Sequence, residues 1–220
     1  MKIALVIPTY NCGNYLPELF NQVKEVISFE NIIFINDGST DNTNEILKSL
    51  NCNFISHVNN SGKGRAIQLG IKFAIEKKYD FIITMDADLQ HSPSDLNKFI
   101  EIVKKNNFDF AIGNRDKSLK NMPFFRYFSN VITSFLVSLR INLKIPDSQC
   151  GFRMYRIDKL KNMPSLSNGY EFETEILIWG AKNNFKIISV PIKTIYNNSI
   201  SSMTHFKTTI NFIKTLLKKY

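Results

Sequence analysis

Residues 32–57 read IIFINDGSTDNTNEILKSLNCNFISH, and this stretch decides the fold. A β-rich run, Ile32–Ile35, enters a polar turn, Asn36-Asp37-Gly38-Ser39-Thr40-Asp41. A helix is predicted from about Thr40 to Leu50, and a second β-rich run, Asn53–His57, follows it. Strand, helix and strand with short links form a unit whose two strands lie parallel.

The rhythm extends in both directions. Upstream, Ile3–Ile7 is a short strand ended by Pro8, and Leu16, Leu19, Phe20, Val23 and Ile27 fall at helical spacing between Tyr15 and Ile27. Downstream, a helix is predicted from about Gly64 to Lys77, then strands at Asp80–Thr84 and Phe108–Ile112. Between those strands Ser92–Lys105 reads as a helix, with Ser92 as N-cap and Pro93 at its first position. This alternation predicts an α/β fold with a parallel, doubly wound sheet.

In such sheets ligands bind outside the carboxyl ends of the strands. The segments at those ends are polar: Pro8-Thr9-Tyr10-Asn11, the Asn36–Asp41 turn, Met85-Asp86-Ala87-Asp88-Leu89-Gln90-His91, and Gly113-Asn114-Arg115. The second half loses the parallel rhythm. A Phe-rich helix is predicted over Pro123–Arg140, then the segment DSQCGFR at 147–153, a helix at Glu171–Lys182, and strand-like runs at Lys186–Val190 and Ile192–Tyr196. A last helix starts near His205. It carries Phe206, Ile210, Ile213 and Leu217 on one stripe, with Lys207, Lys214 and Lys218 mostly off it.

The 220 residues, 44% of them apolar, suit one large domain over 1–220, with no linker or internal repeat to divide it. Pro8, Thr9 and Tyr10 cut the first apolar run too short for a signal peptide, and Arg140 interrupts the run from Val131 to Leu139 well short of a membrane span. Cys12, Cys52 and Cys150 are scattered and have no metal-ligand spacing, which fits a reduced cytosolic compartment. The net charge is +9, but residues 1–115 hold 12 Lys/Arg against 13 Asp/Glu, and 116–220 hold 16 against 6. A basic second half suits an anionic membrane surface or a phosphorylated substrate, and equally a merely basic solvated surface. Nucleic acid is not the expected partner, because no basic run, zinc spacing or stacking stripe accompanies the charge.

Asp86 and Asp88 flank one small residue directly after a strand, so their side chains share an orientation at the binding edge. Two carboxylates with a diphosphate completing the shell suit Mg²⁺ or Mn²⁺; taken alone, the pair is equally a solvated loop. Asp37-Gly38-Ser39-Thr40-Asp41 reads either as a well-built turn or as one whose Asp37 accepts from a nucleobase N–H or a ribose hydroxyl. Asn60-Ser61-Gly62-Lys63-Gly64-Arg65 is similar to a phosphate-binding loop without the full nucleotide-binding pattern, and its glycines predict a turn with positive φ.

The segments IPTYN, INDGSTD, NNSGKGRA, MDADLQHSP, GNR and DSQCGFR resemble, in order and spacing, the family 2 glycosyltransferases, most closely the branch that makes polyprenyl-phosphate sugars. The likeness is strong as far as about Arg156. It implies a single GT-A-type domain with a mostly parallel central sheet and a C-terminal amphipathic helix. Residues 1–115 would form the nucleotide-sugar half and 116–220 the acceptor half. It further implies transfer with inversion to a polyprenyl phosphate, by an enzyme that is cytoplasmic and peripheral on the inner face of the membrane.

Carried over by residue, the resemblance puts Pro8, Tyr10, Asn11 and Asp37 in the nucleoside pocket. Asp86, Ala87 and Asp88 would meet the diphosphate, and Asp86, Asp88 and Gln90 the metal. Arg115 and Arg126 would face phosphates, and Asp147 and Arg153 would lie near the sugar or acceptor. The segment YNNSISS at 196–202 lacks the Arg and Lys that many mannose-transferring members have there, and His205 and Lys207 stand nearest as substitutes. A second reading is transfer to a sugar hydroxyl in polysaccharide or glycan assembly. That needs a general base, for which Glu171 or Glu173 is the nearest candidate; otherwise the two are a solvated, dipole-favoured helix start.

Overall fold

The computed structural model describes residues 1–105, 107–116, 124–195 and 205–218, with the helical backbone only for 124–126 and 205–208. Seven strands form one sheet: β1 (Ile3–Thr9), β2 (Ile32–Asp37), β3 (Asn53–His57), β4 (Phe81–Thr84), β5 (Phe110–Arg115), β6 (Arg153–Arg156) and β7 (Ile187–Ile192). Their order is β3-β2-β1-β4-β6-β5-β7. The pairs β1–β2, β1–β4, β2–β3 and β5–β7 are parallel. β6 alone runs the other way, antiparallel to both β4 and β5, so the sheet is mostly parallel.

Burial follows position in the sheet. Every residue of β1 except Pro8 is buried, as expected of a central strand covered on both faces, whereas the edge strand β3 is half-buried. The helices are α1 (Leu16–Val23), α2 (Thr43–Ser49), α3 (Lys63–Glu76), α4 (Leu96–Lys105), α5 (Phe124–Ile141), α6 (Ile157–Leu160), α7 (Glu171–Lys182) and α8 (His205–Leu217). In α1, Leu16, Leu19, Phe20 and Val23 form the buried stripe that their spacing predicts.

Four expectations need correction. Ser92 makes no side-chain cap; its hydroxyl meets that of Ser94 at 2.8 Å, and Pro93–Asp95 forms a short 3₁₀ turn ahead of α4. Gly113-Asn114-Arg115 lies within β5 rather than after it. Of the two strand-like runs, the first falls in β7, which continues to Ile192 and tolerates Pro191 because it is the sheet's edge, while of the second only Thr194 makes an isolated bridge, to His91, and Tyr196 lies outside the described residues. β6 is absent from the predicted strands, and of its residues only Arg153 falls in the DSQCGFR segment.

Candidate active site

At the carboxyl ends of β1 and β2 two loops are tied together by side chains. Asn11, at φ +48°, donates its N–H to Ser39 Oγ at 3.0 Å, while its Oδ1 accepts from Thr40 N–H at 2.8 Å. Tyr10 beside it is 47% exposed and Pro8 half-buried, so both offer surface at this edge. Asp37 is buried, and both its oxygens are engaged. Oδ1 accepts from Ser61 N–H at 2.9 Å and Oδ2 from Gly62 N–H at 2.7 Å, with His57 Nδ1 lying 3.2 Å from Oδ1. Asp37 therefore braces the loop that leads into α3, and a nucleoside contact would share oxygens already in use.

That brace sets the start of α3. Gly62 takes φ +101°, where a Cβ would stand 2.5 Å from Asn168 O, so the positive-φ turn expected of the loop's glycines is present at Gly62, while Gly64 lies inside α3. Lys63, between them, is the first residue of α3 and reaches the carboxyl end of β4. Its Nζ lies 2.6 Å from Asp86 Oδ1 and 2.8 Å from Glu173 Oε1, the latter at an angle that misses hydrogen-bond geometry. Burial alone would lower the lysine's pKa, but the two carboxylates outweigh it and hold the ammonium charged.

The two aspartates after β4 diverge. Burial would raise Asp86, yet Lys63 and more distant positive groups bring it down to about 2. Asp88 is pushed up, by burial and then by the negative charge of Asp86. Asp88 Oδ1 accepts from Gln90 N–H at 3.0 Å across Leu89, which sits at φ +59°. Ala87 between the carboxylates is buried. Behind Asp86 stands Gly151, where a Cβ would come within 2.6 Å of Asp86 Oδ2; the glycine is what lets that carboxylate approach the chain before β6.

Arg115 and Asp147 form a bidentate pair, with Nε to Oδ2 at 2.7 Å and Nη2 to Oδ1 at 2.9 Å. Asp147 is wholly buried, so the guanidinium expected to face phosphates is already neutralised by a partner. Arg153 departs further from expectation. It is fully buried and donates to three backbone carbonyls: Cys150 at 2.6 Å, Glu173 at 2.5 Å and Ser148 at 2.8 Å. It joins the 148–150 loop to α7 rather than lining an open site. The side chain of Arg126 lies outside the described residues, as do 196–202 and the side chains of His205 and Lys207.

Lys63, expected only within a phosphate-binding-like turn, and His91 join the site, as does Glu173, the general-base candidate of the hydroxyl reading. Glu173 is buried against Lys63, not solvated at a helix start. His91 is buried, with its ring centroid 5.3 Å from that of Phe152, and burial lowers its pKa. Among the described residues its Nδ1 and the Oγ1 of Thr194, which bridges to it, have no hydrogen-bond partner.

Among the described residues no three His, Cys, Asp or Glu side chains converge as a ready metal cage. The donor set nevertheless fits a hard divalent cation that takes part of its shell from phosphate. No ion pair among the described residues reaches Asp88, and its carboxyl is held up by burial and then by the negative charge of Asp86, which a cation would offset.

The family model described as "Glycosyl transferase family 2" matches residues 4–163. A protein of Methanococcus voltae named UDP-N-acetylglucosamine--dolichyl-phosphate N-acetylglucosaminyltransferase is 35% identical over 216 residues, covering 88% of this chain and 86% of that protein. A dolichol-phosphate mannosyltransferase of Pyrococcus furiosus is 32% identical over 202 residues, covering 87% and 56%. Among solved structures, glucosyl-3-phosphoglycerate synthase of Mycobacterium tuberculosis, in complex with Mn²⁺ and UDP-glucose, superposes with a TM-score of 0.76 at 17% identity, covering 98% of this chain and 78% of that one. That last likeness is one of fold.

Proposed function

Since the chain belongs to glycosyl transferase family 2, with a GT-A-type sheet, we propose that it moves a sugar, with inversion, from a nucleoside-diphosphate sugar to a polyprenyl phosphate at the cytoplasmic face of a membrane. The observation that carries this reading is the pair Asp86 and Asp88 at the carboxyl end of β4, flanked by Lys63 and the Arg115–Asp147 pair. The names of the relatives support the acceptor class.

The nucleoside lies over Pro8, Tyr10 and Asn11, with Asp37 holding the floor. Asp88, Asp86 and Gln90 would hold Mg²⁺ or Mn²⁺ together with the diphosphate. Bound there, the cation offsets the charge that grows on the leaving diphosphate. Asp147 fixes Arg115 beside that charge, and Arg126 is assigned to the acceptor phosphate. Residues 1–115 serve the donor and 116–220 the acceptor, although Glu173 crosses that line. The acceptor needs no general base: a phosphate monoester has its second pKa near 6 and is already an anionic nucleophile at neutral pH.

The acceptor half has apolar surface to offer. A groove of about 460 Å³ runs beside α5, lined by the apolar side chains of Val131, Phe135, Leu139, Leu143, Ile145 and Pro146 together with Ser134, Ser138, Asn142 and Lys144; Asp147 follows directly in sequence. Among the described residues no helix is long and apolar enough to cross a membrane; the surface assigned to the bilayer is that of α5 and α8, which leave Phe135, Leu139, Ile213 and Leu217 exposed.

Glu173 supports a second reading, transfer to a sugar hydroxyl, because it places a buried carboxylate inside the site. Incubation with radiolabelled nucleotide sugars, a divalent cation and short-chain polyprenyl phosphate separates the two. Label in an organic-extractable, mild-acid-labile product is expected. Label that enters water-soluble glycan alone makes the hydroxyl reading correct.

A further inference from the structure

Lys63 sits against Asp86, one of the carboxylates assigned to the metal. Its ammonium lies 2.6 Å from Asp86 Oδ1, and Glu173 holds it from the other side at 2.8 Å. The three side chains come from the start of α3, the end of β4 and the first turn of α7, and the ammonium is largely buried, its side chain 17% exposed. A divalent cation on the same carboxylate would bring two positive centres into near contact with little water between them, where like charges repel most strongly.

With Arg115 and Asp147 cancelling, Asp86, Asp88, Glu173 and Lys63 leave two net negative charges. A divalent cation alone would cancel that total but would leave the ammonium facing it across Asp86. A divalent cation arriving with the two charges of a sugar-linked diphosphate leaves the total unchanged and gives the ammonium phosphate oxygens to pair with. We propose that Lys63 holds the cation position beside Asp86 in the empty site, so that the divalent ion enters only together with the nucleoside diphosphate. Lys63 is then a positioning residue that sets the order of assembly. Glu173 is its resting partner and keeps the ammonium paired when Asp86 is given over to the metal. This inference rests on the donor reading above.

The test is Mn²⁺ binding to the full chain, read from the electron paramagnetic resonance signal of free Mn²⁺, with Mn²⁺ alone and with UDP or GDP added. Wild-type protein should bind Mn²⁺ weakly alone, and one of the two nucleotides should tighten it by about tenfold or more. Lys63→Gln should tighten binding of Mn²⁺ alone by about tenfold and shrink the gain from nucleotide, the opposite of what loss of a merely structural lysine would do. If Lys63→Gln does not fold, Lys63→Gln/Glu173→Gln removes the ion pair as a unit and should shift Mn²⁺ binding the same way. Equal Mn²⁺ affinity of wild type with and without a nucleotide that itself binds overturns the proposal. So does a folded variant that binds Mn²⁺ alone no more tightly than wild type. If neither UDP nor GDP binds at all, the donor reading fails and this inference fails with it.

Discussion

Asp86 and Asp88 are two residues apart, yet their carboxyls are shifted in opposite directions, and stability and activity should separate accordingly. Asp88 is raised, so at neutral pH its ionised form costs the empty fold some stability, and that cost disappears as pH falls below the ordinary carboxylate value. Asp88→Asn should therefore raise the melting temperature of the metal-free protein at pH 7 while lowering turnover by about two to three orders of ten. Near wild-type turnover of the unsubstituted enzyme in EDTA would show the metal role to be wrong. Asp86 has the opposite sign. Its folded pKa of about 2 lies below the ordinary carboxylate value, so its stabilisation is present above about pH 4 and is lost as pH falls towards 2. Urea midpoints of wild type and Asp86→Asn should thus converge over that window.

Arg153 carries a different expectation at the same scale. Replacing it by Met strands three buried carbonyls and should cost about 3 kcal/mol or more in urea unfolding. A variant that unfolds like wild type but binds donor poorly would restore the substrate role read from the sequence. The sequence shows that DSQCGFR matters, but not that Arg153 points inward, because its partners are backbone carbonyls with no residue signature. The joining of Lys63 and Glu173 to Asp86 is illegible for a related reason. Their meeting with Asp86 joins three elements remote in sequence, whereas Asp86 and Asp88 announce themselves by adjacency.

At the scale of elements, periodicity was most informative where each element has one clear environment. β1 to β4 and their helices alternate in composition and fall close to their predicted places, and α7 matches at both ends. β6 is illegible because its four residues, Arg-Met-Tyr-Arg, begin and end in charge, and Arg153 is buried in mid-sheet with its guanidinium donating to backbone carbonyls. α7 also works in two directions. Glu171 and Glu175, four residues apart, share the face that holds α8, through Asn211 and Lys218, while Glu173 on the opposite face holds Lys63. Glu175 is buried, and its second oxygen accepts from Ser167 N–H at 2.5 Å. Glu175→Gln should cost about 1–3 kcal/mol and raise hydrogen exchange in α8 well before the rest of the sheet. Uniform exchange across the molecule would mean that α8 is held by something other than this contact.

For the whole molecule, charge and apolar surface coincide in the second half. α5 turns Asn130, Ser134 and Val137 inward and leaves Phe135 59% and Leu139 64% exposed. On α8, Thr215 is buried, while Ile210, Ile213 and Leu217 of the predicted stripe face outward, Leu217 being 77% exposed. The two helices meet where Arg140 Nε donates to Leu216 O at 2.8 Å. Apolar stripes that could have packed into a core thus point away from it, and the half that carries them holds 16 Lys/Arg against 6 Asp/Glu. Interfacial binding of such a surface has an electrostatic part, of order 1 kcal/mol per basic residue near an anionic membrane, and an apolar part indifferent to salt. The two parts can be removed separately. Flotation with anionic vesicles should weaken by about tenfold or more as salt rises from roughly 50 to 500 mM, because screening shortens to a few ångströms. Phe135→Asp/Leu139→Asp should weaken flotation by about tenfold at either salt, with an unchanged melting temperature, because both side chains are already exposed in the folded chain. If the double variant floats like wild type while salt still releases both, the basic half alone holds the membrane and the outward stripes serve another purpose.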